Sequence, residues 1–318
     1  MQTELEIIAD DGNRCGEGPL WDDRDRALYW TDITGRCFYR YLRHQGRHER
    51  LSDNFEVGGF SLQQDGGFLV TNSHGIWFWR PGEAATLLAT EAEGQECVMN
   101  DCSADPEGRV YSGSFHLDGN GQSAPSFLFR IDTDGSVHVA DEGISFSNGL
   151  AFSPGEEFLY FADSAGRCIY RYDWRRRDGQ LSNRRVFARI DRAEGLPDGL
   201  AVDADGFVWC AHWFGGCLTR YDPDGYRERR IEMPASQTSS LTFGGSELDE
   251  IYVTTAAQPN ALVLAPVGHD PSCVFNGGPL YRFRCGIRGQ LKYRSSIAHS
   301  PASPLAQPAV AGAAAKNP

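Results

Sequence analysis

Residues 144–173 read ISFSNGLAFSPGEEFLYFADSAGRCIYRYD, and their order of short apolar runs and turns decides the fold. Asn148 and Gly149 open the unit, Leu150, Ala151 and Phe152 form an apolar run, and Ser153, Pro154 and Gly155 make a turn. Leu159, Tyr160 and Phe161 form a second run, and the alternating stretch 168–172 supplies a third strand after the turn at Ala165 and Gly166. Runs this short between turn formers read as β-hairpins. The unit is a small antiparallel meander.

Laid along the chain, the unit yields six second-strand triplets, at 28–30, 68–70, 110–112, 159–161, 208–210 and 251–253. They recur at roughly 40 to 50 residues, the period of one propeller blade. A meander of this size cannot bury both of its faces alone, so copies must pack face to face around an axis. The expected fold is all-β: a six-bladed β-propeller over residues 1–300, with 301–318, rich in Ala and Pro, as a disordered tail. No helix-period segment competes.

The first strand of each blade lines the channel of a propeller, so residues just before it should converge on the axis. Counting back from the triplets reaches Glu17, Gly58 or Gly59, Asn100 and Asp101, Asn148, Asp198, and Ser239 or Ser240. Four of these six positions carry Glu, Asn or Asp. Asn, Asp and Ser also punctuate turns, but four in phase point to a shared role, and a ring of such oxygens suits a hard divalent cation. Glu17 stands between glycines, and Asp198 lies between Pro197 and Gly199, a rigid then permissive pair that presents its carboxylate in one direction.

The formal net charge of −13 argues against nucleic-acid or anionic-membrane partners, which need clustered Lys and Arg. Basic runs at 175–177 and 227–230 read as solvated turns. Nine scattered cysteines with no CxxC pair give neither a zinc-finger nor a disulfide framework. With no basic and apolar leader and no membrane-length run, the expectation is a cytoplasmic protein, a monomer or weak homo-oligomer. The run 5–9 is expected to close the ring by pairing with the strand near 280–283. His116 and Asp118 follow the second strand of blade three, where a loop rich in Gly, Ser and Asn is expected to act as a mobile lid over the channel mouth. His116 is the histidine favoured for substrate contact, and His212 and Trp213 are either pocket wall or core.

At these residues the chain resembles the family that contains senescence marker protein 30, the gluconolactonases and the luciferin-regenerating enzyme. GEGPLW at Glu17, NDCSADPEGR at Asn100, SNGLAFSP at Asn148, PDGLAVDADG at Asp198, and LTFGG with IYVTTA beyond them carry the resemblance in order. It implies one divalent cation in the channel, held by Glu17, Asn148 and Asp198, with Asn100 as a substrate or metal-water contact and Asp101 close by. Many gluconolactonases have Arg where this chain has Val98. Asp118 falls where some relatives place a Glu that touches substrate, and His116 is also unlike the better-known members, which together imply a retuned pocket.

Three protein ligands would leave the cation open on one side, as catalytic metals require. The expected activity is hydrolysis of a sugar lactone, an aldonolactone of five or six carbons, with Asp198 binding the metal and helping to deprotonate the attacking water. Oxygen ligands favour Ca²⁺, and Zn²⁺, Mg²⁺, Mn²⁺ or Fe²⁺ remain compatible. Two rival readings stand: a paraoxonase-like esterase or phosphotriesterase for apolar esters, to which Phe115, Trp213 and Phe214 would be suited, and a non-catalytic binding propeller.

Overall fold

The computed structural model describes residues 4–116, 125–258, 262–269 and 276–299. Six four-stranded antiparallel sheets form the blades of a propeller. Every triplet found in the sequence lies in the second strand of its blade: Ala27–Asp32, Phe68–Asn72, Val110–Ser114, Phe158–Asp163, Val208–Trp213 and Glu250–Thr255. The sixth blade is completed by the amino terminus, where Glu6–Ala9 pairs antiparallel with Leu280–Phe283 as its outer strand. The expected tail and most of the expected lid, including Asp118, fall outside the described residues.

The second strands read as continuous apolar runs because each is buried on both faces. In blade five Val208 and Cys210 pack toward blade four with Ile169 and Ala188, whereas Trp209 and Ala211 pack toward blade six with Leu241 and Val253. Six such clusters, one per blade interface, make up the core of the ring. Among the described residues the only helical pieces are short 3₁₀ turns at Arg43–Gln45, Arg192–Glu194 and Leu262–Leu264. One local expectation is corrected: the basic run at 227–230 belongs to the strand Arg227–Glu232, the outer strand of blade five. Arg227 pairs with Glu194 and Arg230 with Glu232 along this exposed edge, so charge does not prevent a strand that meets water.

The inner strands decide the function. In five blades the ladder between the first and second strands carries one extra residue, and the break falls at Glu17/Leu20, Met99/Cys102, Ser147/Leu150, Pro197/Leu200 and Thr238/Ser240. Blade two pairs from Gly59 to Leu62 without a break. Asn100, Asp101, Asn148 and Asp198 thus sit inside their strands, within the bulges, and Glu17 inside its strand at the edge of one, rather than just ahead of the strands as expected. A bulge frees its residues from the ladder and turns their side chains out of the pleat, here toward the axis.

The glycine after a bulged residue has a packing reason. A Cβ on Gly199 would lie 2.0 Å from Ser240 Oγ and 2.6 Å from Ser240 Cα on the inner strand of blade six. Gly199→Ala should therefore destabilise the protein by about 1–3 kcal/mol through overpacking, and also displace Asp198. Thermal melts of Gly199→Ala alone and combined with Ser240→Gly check this, since the second substitution removes the clashing hydroxymethyl and should return part of the loss.

A channel site of carboxylates and amides

At one end of the channel a cavity of about 130 Å³ is lined by Glu17, Asn100, Asn148 and Asp198, with Cys15, Ile33, Phe146, Ser164, Leu196, Trp213 and Leu264 as its walls. Four of the residues expected at the axis are therefore brought together by the strand bulges of blades one, three, four and five. Asp198 is 2% exposed, and its Oδ1 has no hydrogen-bond partner. Asn148 is also buried. Glu17 accepts the Gly18 N–H at 3.0 Å, which the positive φ of Gly18 (54°) brings around.

Asn100 is fixed from both sides. Its Nδ2 donates to Ser147 O at 3.0 Å on the next blade, and its own carbonyl accepts the Thr71 hydroxyl at 2.8 Å from the previous one. Asp101 is tied to its own bulge, accepting the Cys102 N–H at 2.9 Å through Oδ1, and its carbonyl accepts the Ser112 hydroxyl at 2.9 Å. It does not line the cavity, but its charge reaches both Glu17 and Asp198.

Burial and mutual repulsion dominate the electrostatics. Burial first, then the Asp101 carboxylate, push Glu17 up to about 8, against the partial relief of the Gly18 N–H and of Lys292. Asp198 is raised well above the ordinary carboxylate range by burial, then by Glu17 and Asp101. Asp101 is raised too, by burial, with Lys292 opposing. Carboxyls packed this way either stay protonated or need a cation among them.

The second-strand ends hold the bulges in place. Asp32 accepts the N–H groups of Arg14 and Cys15 at 2.9 Å each, and Asp163 accepts those of Ser145 and Phe146 at 3.0 Å each, anchoring the chain two residues before Glu17 and before Asn148. The same phase in blade five holds His212, whose Nδ1–H donates to Glu194 O at 2.9 Å ahead of Leu196 and Asp198. Burial lowers His212 to about 4, so it works as a neutral clamp and not as a base. Trp213, one residue on, is cavity wall.

Two expected contacts do not join the site. Val98 is half-buried and serves through its carbonyl, which accepts the Phe115 N–H at 3.2 Å. His116 follows Phe115, which bridges to Phe146 at the mouth, and is not among the cavity-lining residues. Val98 is likewise not among the residues lining the cavity, and His116 lies beyond the second strand, which ends at Ser114. Conversely, Cys15, Phe146 and Leu196 were not singled out, although each stands two residues before an axial ligand and so points to the same side of its strand. Ile33, Ser164 and Trp213 share a phase four residues beyond the middle of their triplets. The period that found the ligands also contains the walls.

The donor set fits a divalent cation. It consists of oxygens, one of them a buried carboxylate oxygen left unpartnered, and the Glu17 and Asp198 carboxyls form no ion pair among the described residues. Among the described residues no three His, Cys, Asp or Glu side chains form a metal group by themselves. The candidate set needs the amide of Asn148 beside the carboxylates of Glu17 and Asp198.

The comparisons with known proteins agree with this architecture. The family described as "SMP-30/Gluconolactonase/LRE-like region" matches residues 15–257. The chain is 33% identical over 299 residues to pentonolactonase XacC of Haloferax volcanii, covering 91% of this chain and 97% of that protein. A solved luciferin-regenerating enzyme superposes with a TM-score of 0.82 at 24% identity, covering 93% of this chain and all of that one. A regucalcin from Agrobacterium tumefaciens, described as a calcium-binding protein, superposes with a TM-score of 0.79 at 23% identity, over 92% of this chain and 97% of that one. Fold, ordered motifs and family match coincide: the chain belongs to the SMP-30/gluconolactonase/LRE-like family.

Proposed function

We propose that this protein hydrolyses a sugar lactone, an aldonolactone of five or six carbons, at the channel site. The observation that carries the reading is the gathering of Glu17, Asn148 and Asp198 around one cavity, with the buried Asp198 Oδ1 unpartnered and Asn100 at the rim. The 33% identity to a protein named a pentonolactonase supports the substrate class.

Glu17, Asn148 and Asp198 would hold a divalent cation, which supplies Lewis-acid polarisation of the lactone carbonyl and stabilises the charge that builds on its oxygen. Ca²⁺ is the first choice for an oxygen-only set, and Zn²⁺, Mg²⁺, Mn²⁺ and Fe²⁺ are to be compared with it. Asp198 takes a proton from the attacking water and returns it to the ring oxygen as the ring opens. With Nδ2 held by Ser147, Asn100 turns its carbonyl oxygen to a hydroxyl of the lactone. Phe146, Leu196 and Trp213 lie against the carbon skeleton and keep bulk water from the reacting carbonyl. Of the described cysteines, Cys37, Cys97, Cys102, Cys168, Cys210, Cys217 and Cys285 are free, in keeping with a reducing, cytoplasmic setting.

A pH-indicator assay over a panel of five- and six-carbon aldonolactones, before chelation, after it and after adding back each cation, tests the proposal. Turnover of at least one aldonolactone that is lost with chelation and returns with a cation is expected. A second reading follows from the apolar walls Ile33, Phe146, Leu196, Trp213 and Leu264: an esterase for apolar esters, favoured if the panel is inert and aryl esters or alkyl lactones are turned over.

A further inference from the structure

Beyond the last blade strand the chain does not leave the propeller but crosses beneath it. Gly289 N–H donates to Leu248 O at 2.7 Å, and Ala204 N–H to Arg288 O at 2.9 Å, tying the strap to blades six and five. Further on, Ser295 exchanges bonds of 2.8 Å with Leu62 O and Gln64 N–H of blade two, and Ser296 and Ala298 donate to Gly108 O and Thr133 O of blade three. Between these anchors Leu291 packs on the cluster around Trp21 and Tyr252, and Tyr293 packs edge-on to Phe152 with ring centroids 6.2 Å apart. Arg294 turns outward to Asp22 and Asp23.

Lys292 differs from these neighbours. It lines a void of about 20 Å³ together with Ser103, Ala151, Ala201 and Thr242, inner-strand residues of blades three to six. That places the side chain in the channel, on the far side of the axial site from the cavity mouth. Among the described residues it forms no ion pair, in contrast to Arg294 two positions on. A lone ammonium with no carboxylate in contact is an uncommon choice for a channel floor.

We propose that Lys292 is a positioning residue of the cation site: a tethered ammonium, fixed below the channel by the strap, whose charge offsets the axial carboxylates and sets how tightly a divalent cation is held. The inner strands that meet Lys292 at Ser103, Ala151 and Ala201 are the ones that carry Asp101, Asn148 and Asp198 a few residues earlier, so the ammonium and the axial site share one channel. Lys292 and the cation are like charges sharing one low-dielectric channel, so the ammonium weakens cation binding while it shields the carboxylates from one another. The strap supplies the rigidity that keeps the ammonium from swinging to solvent.

The inference rests on the reading of Glu17, Asn148 and Asp198 as a cation site, and calorimetric titration with Ca²⁺ and with Mn²⁺ alone, with no substrate, separates the two. Lys292→Arg keeps the charge at this position, Lys292→Met removes it and Lys292→Glu reverses it, and thermal melts check that each folds. The dissociation constant should stay near that of the parent for Lys292→Arg, fall about tenfold for Lys292→Met and fall again for Lys292→Glu, since each tenfold step is a modest Coulomb change at this range. Equal affinities across the series, or weaker binding whatever the charge, would overturn the role of Lys292 and leave the cation site standing. No binding of either ion by the unmodified protein would overturn the site itself, and with it this role.

Discussion

Asp198→Ala should lower kcat/KM on the best aldonolactone by about a thousandfold or more while leaving the propeller folded. The carboxylate is buried, lies between Glu17 and Asp101 in charge, and has an unpartnered Oδ1, so it contributes little to the fold and much to the site. The same facts set an opposite expectation for stability. Removing a buried carboxyl that burial and two neighbours disfavour in its charged form should hold or raise the melting temperature of the cation-free protein, an exchange of function for stability seen at many active sites. Cation-dependent stabilisation should vanish with the activity. A variant that keeps turnover within tenfold of the parent, measured with cation in excess, would remove Asp198 from the mechanism.

Chelation should abolish turnover and lower the melting temperature, and the size of the second effect should depend on pH in a defined direction. Glu17 has a folded pKa of about 8 against an ordinary 4.5, and Asp198 is raised as well. A carboxyl with a raised folded pKa lets the folded state hold a proton that the unfolded chain has lost, so its contribution is complete below the ordinary value and disappears as pH climbs to the folded one. Without a cation the protein should therefore lose stability as pH rises from about 4.5 to about 8. A cation binds the deprotonated form, so its stabilising effect grows over the same window. At a hundredfold excess over the dissociation constant the gain in melting temperature at pH 8 should be roughly 5 °C or more, and near pH 5 it should be small. Melts of chelated and loaded protein across this range check it, and a cation effect that shrinks as pH rises would contradict it.

The propeller was legible because its cause is local and repeated. A strand buried on both faces is apolar almost throughout, and Leu28–Tyr29–Trp30 and four of its five counterparts are wholly so, with Ser112 the exception, so the blade period stood out without any long-range information. Ring closure by residues 5–9 was legible for a related reason, since the last blade otherwise lacked its outer strand. The axial residues were found by phase alone. What phase did not reveal was that Asn148 and Asp198 lie within strands: Asn-Gly and Asp-Gly are turn signals, yet here each glycine admits the neighbouring inner strand and not a reversal of the chain. That packing joins residues roughly 40 to 50 positions apart, one blade period, and leaves no local mark. Val98 was placed by the family resemblance and His116 by its position after a second strand, neither of which says anything of side-chain direction. The strap was missed because 287–299 has no periodicity of its own; its conformation is borrowed from the blade ends to which it is hydrogen-bonded.

The most direct measurement is anomalous diffraction from crystals soaked in Mn²⁺. The account predicts a single strong peak on the channel axis, bonded to carboxylate oxygens of Glu17 and Asp198 and to the amide oxygen of Asn148, with an open side facing the cavity. A peak elsewhere, or none at saturating Mn²⁺ with these three side chains turned apart, would contradict it.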